Sequence, residues 1–211
     1  MTSKERRPYD ATGRQARAVR RRDDILEHAR ALFIADGYAP TTVAAIASAS
    51  GVSAETVYKS FGGKPGIVRA IFERSLLGSA PSPAEERSDS AQLQAPDARA
   101  LFHRFGELSG EVAPLTAPVM RLIREAAAGG DSAMSALLHD VESERYDRMR
   151  HNAEVLQSRG FLGAGLSTEH AADVMWFYTA DDVFHSLVVS RGWSLEAYAD
   201  FIANALASAL L

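Results

Sequence analysis

Four glycines, Gly37, Gly51, Gly62 and Gly63, cut one stretch of the chain into two pieces too short for long helices. Each piece opens on a hydroxyl residue. Thr41 and Thr42 precede Val43, Ile46 and Ala47, and Ser53 precedes Val57, Tyr58 and Phe61. A hydroxyl before an apolar set spaced i, i+3, i+4 is the signature of an N-cap, and a glycine between two such sets supplies the positive φ of a tight turn. The spacing predicts two short helices joined by that turn, a helix-turn-helix. Upstream, Ile25, Leu26, Ala29, Leu32 and Phe33 form one helical stripe that stops at Gly37. A first helix is therefore expected over about Ala18–Asp36.

The remainder also reads as helices with short punctuation, without strand alternation or internal repeat, so the fold class is all-α with about nine helices. Ile67, Ile71, Phe72 and Leu76 mark a fourth helix, badly started by Pro65 and Gly66. Residues 78–94, rich in Ser, Pro and charge, read as a linker. A fifth helix opens at Pro96 and Asp97, a sixth follows Thr116 and Pro118, and Asp131 caps a long seventh that Gly160 ends. Ser167 and Thr168 cap an eighth whose centre, Val174 to Tyr178, is apolar all round; Ser194 caps a ninth. The resulting division is a basic flexible arm (1–17), a helix-turn-helix domain (18–77), a linker (78–94) and a helical ligand-binding and dimerisation domain (95–211).

Charge separates the two ends. Residues 1–75 carry 13 Lys or Arg against 8 Asp or Glu, whereas residues 76–211 carry 10 against 19. A basic N-terminal part is an electrostatic footprint for phosphate, and equally describes a solvated tail. The absence of cysteine excludes disulfides, thiolate metal sites and a Cys nucleophile. No apolar run is long enough for a membrane span, and no signal-peptide core follows the basic residues, so a cytoplasmic protein with no membrane partner is expected. No nucleophile elbow, zinc-binding helix motif, dinucleotide fingerprint or P-loop is present. The six histidines are scattered; Asp181 with His185 is one pair on one helix, too few ligands for a metal. No enzyme activity, metal or cofactor is expected.

The segment Gly37-Tyr38, Thr41-Thr42-Val43, Ile46-Ala47, Gly51-Val52-Ser53, Thr56, Val57-Tyr58, Phe61 and Lys64 resembles the head of the tetracycline-repressor (TetR) family of transcriptional regulators, over about 50 residues. Downstream, Asp173 to Leu211 resembles that family's C-terminal pair of dimerising helices. The resemblance implies a homodimer that binds a palindromic DNA operator, usually as a repressor released by a small-molecule effector.

Read from the residues, a major groove admits one helix, N-terminus first. On the third helix it would meet Ser53, Ala54, Glu55, Thr56 and Lys59. Thr56 and Lys59 are the best base readers; Glu55 suits cytosine N4 or, alternatively, only the helix N-terminus. Thr42, Tyr58 and Lys64 occupy positions the family uses for phosphate, although Gly63, Pro65 and Gly66 depart from its usual pattern. Arg14, Arg17 and Arg20 are candidates for the minor groove. Candidate ligand-pocket residues are Phe102, Phe105, Arg121, Arg124, Met149, Trp176 and Tyr178, although such residues more often are plain core or surface. The apolar last helices place Phe177, Phe184, Val188, Tyr198, Phe201 and Ile202 at the dimer interface.

Overall fold

The computed structural model describes residues 11–78 and 82–211, with side chains from residue 17 onward. Among these residues the chain is all-helical: α1 Ala11–Asp36, α2 Val43–Ala49, α3 Ala54–Phe61, α4 Lys64–Leu77, α5 Ala84–Gln94, α6 Ala98–Ala128, α7 Ser132–Ser158, α8 Thr168–Tyr178, α9 Asp181–Phe184, a π-helical segment His185–Ser190, and α10 Leu195–Leu210. No helix among the described residues is long and apolar enough to cross a membrane. The chain divides into two compact units, Met1–Ile67 and Val68–Leu211, so the division falls within α4 rather than after it.

In the first unit the expected stripe is the core. Ile25, Leu26, Ala29 and Phe33 of α1 are buried with Val43, Ile46, Ala47, Val57 and Ile67, and the rings of Phe33 and Tyr38 stack at 5.8 Å. The first helix starts earlier than expected, at Ala11, so residues 11–17 are helical and not an irregular arm. Alanine, arginine and glutamine there are strong helix formers but leave no apolar period to read. Residues 1–10 of the expected arm, and the side chain of Arg14, lie outside the described residues.

The second unit has a core in which Leu101, Phe102, Phe105, Leu156, Met175, Phe184, Tyr198, Ile202, Leu206 and Leu210 are buried together. Its closest crossing is α6 on α10. A Cβ built on Gly106 would lie 2.3 Å from the carbonyl oxygen of Ala199, and one on Gly110 would lie 3.2 Å from Ala199 Cβ. Glycines one turn apart thus form a flat strip that lets the two backbones approach.

Three elements correct the sequence reading. The expected linker contains α5, which starts with Glu85 and Glu86 in its first turn, where the helix dipole favours acids. It is docked by polar contacts: Gln92 Nε2 donates to Asn152 Oδ1 at 3.0 Å, Arg148 pairs with Asp89 at 2.5 Å, and Arg87 pairs with Glu111 at 2.5 Å. Helix docking through Ser88 and Gln92 gives no hydrophobic period. The expected fifth and sixth helices are one, α6, with Pro114 and Pro118 inside it. Each interior proline costs about 3 kcal/mol. Burial of Leu101, Phe102 and Phe105 before them and Val119, Met120, Leu122 and Ile123 after them, at about 1.5–3 kcal/mol each, outweighs that. Finally, the eighth helix stops at Tyr178, where Thr179 caps it with its hydroxyl donated to Met175 O at 2.7 Å, so Asp181 opens α9 and His185 the π-helical segment after it.

Candidate nucleic-acid interface and ligand chamber

Local chemistry fixes α3. Ser53 Oγ accepts from the Thr56 N–H at 3.2 Å and lies 2.9 Å from Thr56 Oγ1. Gly62 closes the other end at φ 74°. Val57 is fully buried, and the Arg22 guanidinium lies 4.3 Å over the Phe61 ring while donating to Ser60 O at 3.0 Å. Anchored at both ends, the helix presents Ser53, Glu55, Tyr58 and Lys59 as exposed residues, with Ala54 and Thr56 half-buried. Tyr58, 55% exposed, is a large ring offered to solvent by a helix that buries its opposite face.

An expected base reader, Thr56, and an expected phosphate contact, Lys64, also have structural work. The Thr56 hydroxyl belongs to the N-cap. Lys64 Nζ donates to Tyr38 O at 2.8 Å and to Ala39 O at 3.4 Å, and lies 4.1 Å over the Tyr38 ring. Its ammonium therefore ties the start of α4 to the loop after α1. Thr42 is exposed and caps α2, accepting from Ala45 N–H at 3.0 Å. Arg17 and Arg20 are exposed on α1.

The second unit holds a chamber of about 210 Å³. Its apolar wall includes Phe72, Leu76, Phe105, Leu108, Val112, Met120, Val141, Met149, Met175 and Leu206. Of the seven expected pocket residues, only Phe105 and Met149 line it. Phe102 is fully buried core one turn before Phe105. Arg121 is exposed, bridging Glu125 at 2.7 Å and His185 Nε2 at 2.8 Å. Arg124 bonds Glu142 and, at 2.9 Å, Asp181. Its charge is thus met by two carboxylates within the fold. Trp176 faces outward beneath the Arg145 guanidinium at 4.7 Å, and Tyr178 packs edge-on between Phe177 and Phe201.

The sequence reading missed the chamber's polar groups. Arg145, Arg148, Asn152, Thr179, Asp181 and Tyr198 all line it. Hydrogen bonding to Arg148 holds the Asp89 carboxyl below its ordinary range. Burial pushes the Tyr198 phenol up to about 12, so it is a neutral donor at any physiological pH. Tyr198, Phe184 and Ile202, expected at a dimer interface, are interior residues. The stripe Tyr198, Ile202, Leu206 and Leu210 is the inward face of α10, and Phe201 packs half-buried at its edge. The outward side does carry an aromatic run: Phe177, Tyr178, Phe201 and Trp193 contact in sequence at 5.4, 6.1 and 5.8 Å between rings. Phe177 is 59% exposed, and Val188 is half-buried nearby in the chain.

A helix-turn-helix head and a separate helical unit with an internal chamber define a class of bacterial regulators, and comparison with known proteins agrees. Residues 25–71 match the family described as bacterial regulatory proteins, tetR family. The head, residues 25–71, is that of the TetR family. It is 35% identical over 114 residues to the HTH-type transcriptional regulator TcmR of Streptomyces glaucescens, an alignment covering 52% of this chain and 50% of that one. The chain thus spans about half the length of the curated relative it matches. Among solved structures, the fatty acid degradation regulator FadR of Bacillus halodurans superimposes with a TM-score of 0.71 at 18% identity, covering 90% of this chain and 99% of that one. The SmeT–triclosan complex does so with a TM-score of 0.70 at 20% identity, covering 91% and 92%.

Proposed function

We propose that this chain is a ligand-responsive transcriptional repressor that binds a palindromic duplex-DNA operator as a homodimer and is released by a small molecule. The observation that carries the reading is α3. A helix locked at both ends by Ser53 and by the Arg22–Phe61 stack presents Tyr58 and Lys59 to solvent, with Arg17 and Arg20 exposed on α1 of the same unit. A rigid helix with an exposed ammonium and phenol suits base-edge and phosphate contacts in a major groove. The exposed apolar residues of the last helices support the homodimer, because Phe177, Val189, Trp193 and Leu195 are 59%, 62%, 39% and 45% exposed, and large exposed apolar side chains mark an interface. The chamber supports effector release, and SmeT, of the same fold, is a complex with triclosan.

Duplex-DNA affinity measured against salt tests the reading. Log affinity should fall linearly with log salt, by about 0.9 for each phosphate neutralised, and the protein should sediment as a dimer without DNA. Salt-insensitive association, or a monomer at micromolar concentration, contradicts it. Within the head, Lys59→Ala should relax base preference at one position of each half-site, with a cost of about 1–3 kcal/mol on the preferred sequence. A binding-site profile unchanged by the substitution removes Lys59 from base reading.

A further inference from the structure

Tyr198 sets the chemistry of the chamber. Tyr198 is a fully buried residue of α10 among those that line the chamber, and its hydroxyl has no hydrogen-bond partner. A buried donor left unpaired is costly, and a fold keeps one where something else completes it. Four of the five charged wall groups, by contrast, are ion-paired, and the buried Nε–H of Arg148 is a second donor without a partner. Arg145 pairs with Glu142 at 3.0 Å, Arg148 with Asp89 at 2.5 Å, Glu144 with Arg69 at 2.6 Å, and Asp181 with Arg124 at 2.9 Å. None of these four calls for a counter-charge from a ligand. The rest of the wall is mostly aliphatic and thioether, and sulfur-bearing Met120, Met149 and Met175 adapt to irregular shapes. At about 210 Å³ the chamber exceeds an apolar cavity of about 150 Å³ that admits benzene.

We infer that the chamber takes a neutral, largely apolar molecule whose carbonyl oxygen accepts the hydrogen bond of the Tyr198 hydroxyl. This rests on the reading of the chamber as the effector site and adds what that effector carries. An ionised carboxylate is disfavoured because the charges of Arg145 and Arg148 are already met by Glu142 and Asp89. A pure hydrocarbon fills the space but leaves the hydroxyl orphaned.

The test uses two bicyclic probes of the same frame, 1-tetralone and tetralin, titrated by calorimetry against the full chain and its Tyr198→Phe variant. The readout is the tetralone-to-tetralin affinity ratio, so that water's own preference for the ketone cancels between the two proteins. The substitution should lower that ratio about tenfold, the size of one hydrogen bond that also satisfies a buried donor. Without probe, the same variant should melt about 2–4 °C higher, because an unpaired buried hydroxyl is removed while the ring stays. An unchanged ratio with both probes bound overturns the carbonyl assignment and leaves the effector chamber standing. Binding of neither probe overturns both. A lower melting temperature for the variant shows that the hydroxyl has a partner within the fold and overturns the proposal independently of any probe.

Discussion

Gly66→Ala is expected to unseat the helix-turn-helix head and to lower DNA affinity at least a hundredfold. A Cβ at this position, in the first turn of α4, would lie 1.8 Å from the carbonyl oxygen of Phe61. That atom is backbone, so no side-chain rotation relieves the overlap, and α3 and α4 must separate by more than an ångström. Phe61 is the last residue of α3 and the seat of the Arg22 guanidinium, so moving it releases the end of the helix that presents Tyr58 and Lys59. Overpacking of this kind costs about 1–3 kcal/mol and sometimes more, here placed at the joint that aims the reading helix. Amide exchange of residues 54–61 should accelerate, while unchanged exchange of residues 101–123 serves as the control that the second unit remains folded. Wild-type DNA affinity in the variant would mean that the close approach of α3 and α4 is not needed.

Gly106→Ala is expected to destabilise the second unit by about 2–4 kcal/mol, against the direction of helix propensity. Alanine is better than glycine in the middle of a helix by about 0.5–1 kcal/mol. Yet a Cβ on Gly106 would meet the Ala199 carbonyl oxygen at 2.3 Å and Ala203 Cβ at 3.1 Å, and so push α10 off α6. The inward face of α10 carries Tyr198, Ile202, Leu206 and Leu210, so the displacement loosens one side of the whole core. For a chain of this length the melting temperature should fall by about 5–15 °C. Gly110→Ala should be much milder, since its tightest neighbour, Ala199 Cβ at 3.2 Å, needs to yield only a few tenths of an ångström. If Gly106→Ala raised the melting temperature, the crossing would be looser than its backbone distances state.

The head was legible because each of its features is local. Caps, glycine turns and an i, i+3, i+4 stripe act within a few residues, and Thr42, Ser53, Gly37, Gly51 and Gly62 stand where those rules place them. What the sequence hid was set by distant partners. Lys64 looks like a basic residue at a helix start, and only the fold brings the Tyr38 carbonyl and ring beneath it. The α5 helix docks through Gln92, Arg87 and Asp89, whose partners lie on α6 and α7, so no apolar period announces it. The prolines of α6 read as breaks because their local cost is visible and the burial that offsets it is not. Tyr198 was misplaced for a related reason. On an α10 that is apolar on two sides, periodicity identifies the stripe it shares with Ile202 and Leu206 but does not say which stripe faces inward.

Selection of binding sites from random duplex DNA, repeated at low and high salt, tests the central claim most directly. The account predicts an inverted repeat whose half-sites are spaced by about one turn of DNA, or a multiple of it, as a two-fold dimer requires, with enrichment falling as salt rises. Absence of any enriched sequence at low salt, or enrichment that ignores salt, would contradict the assignment of this chain as a dimeric DNA-binding regulator.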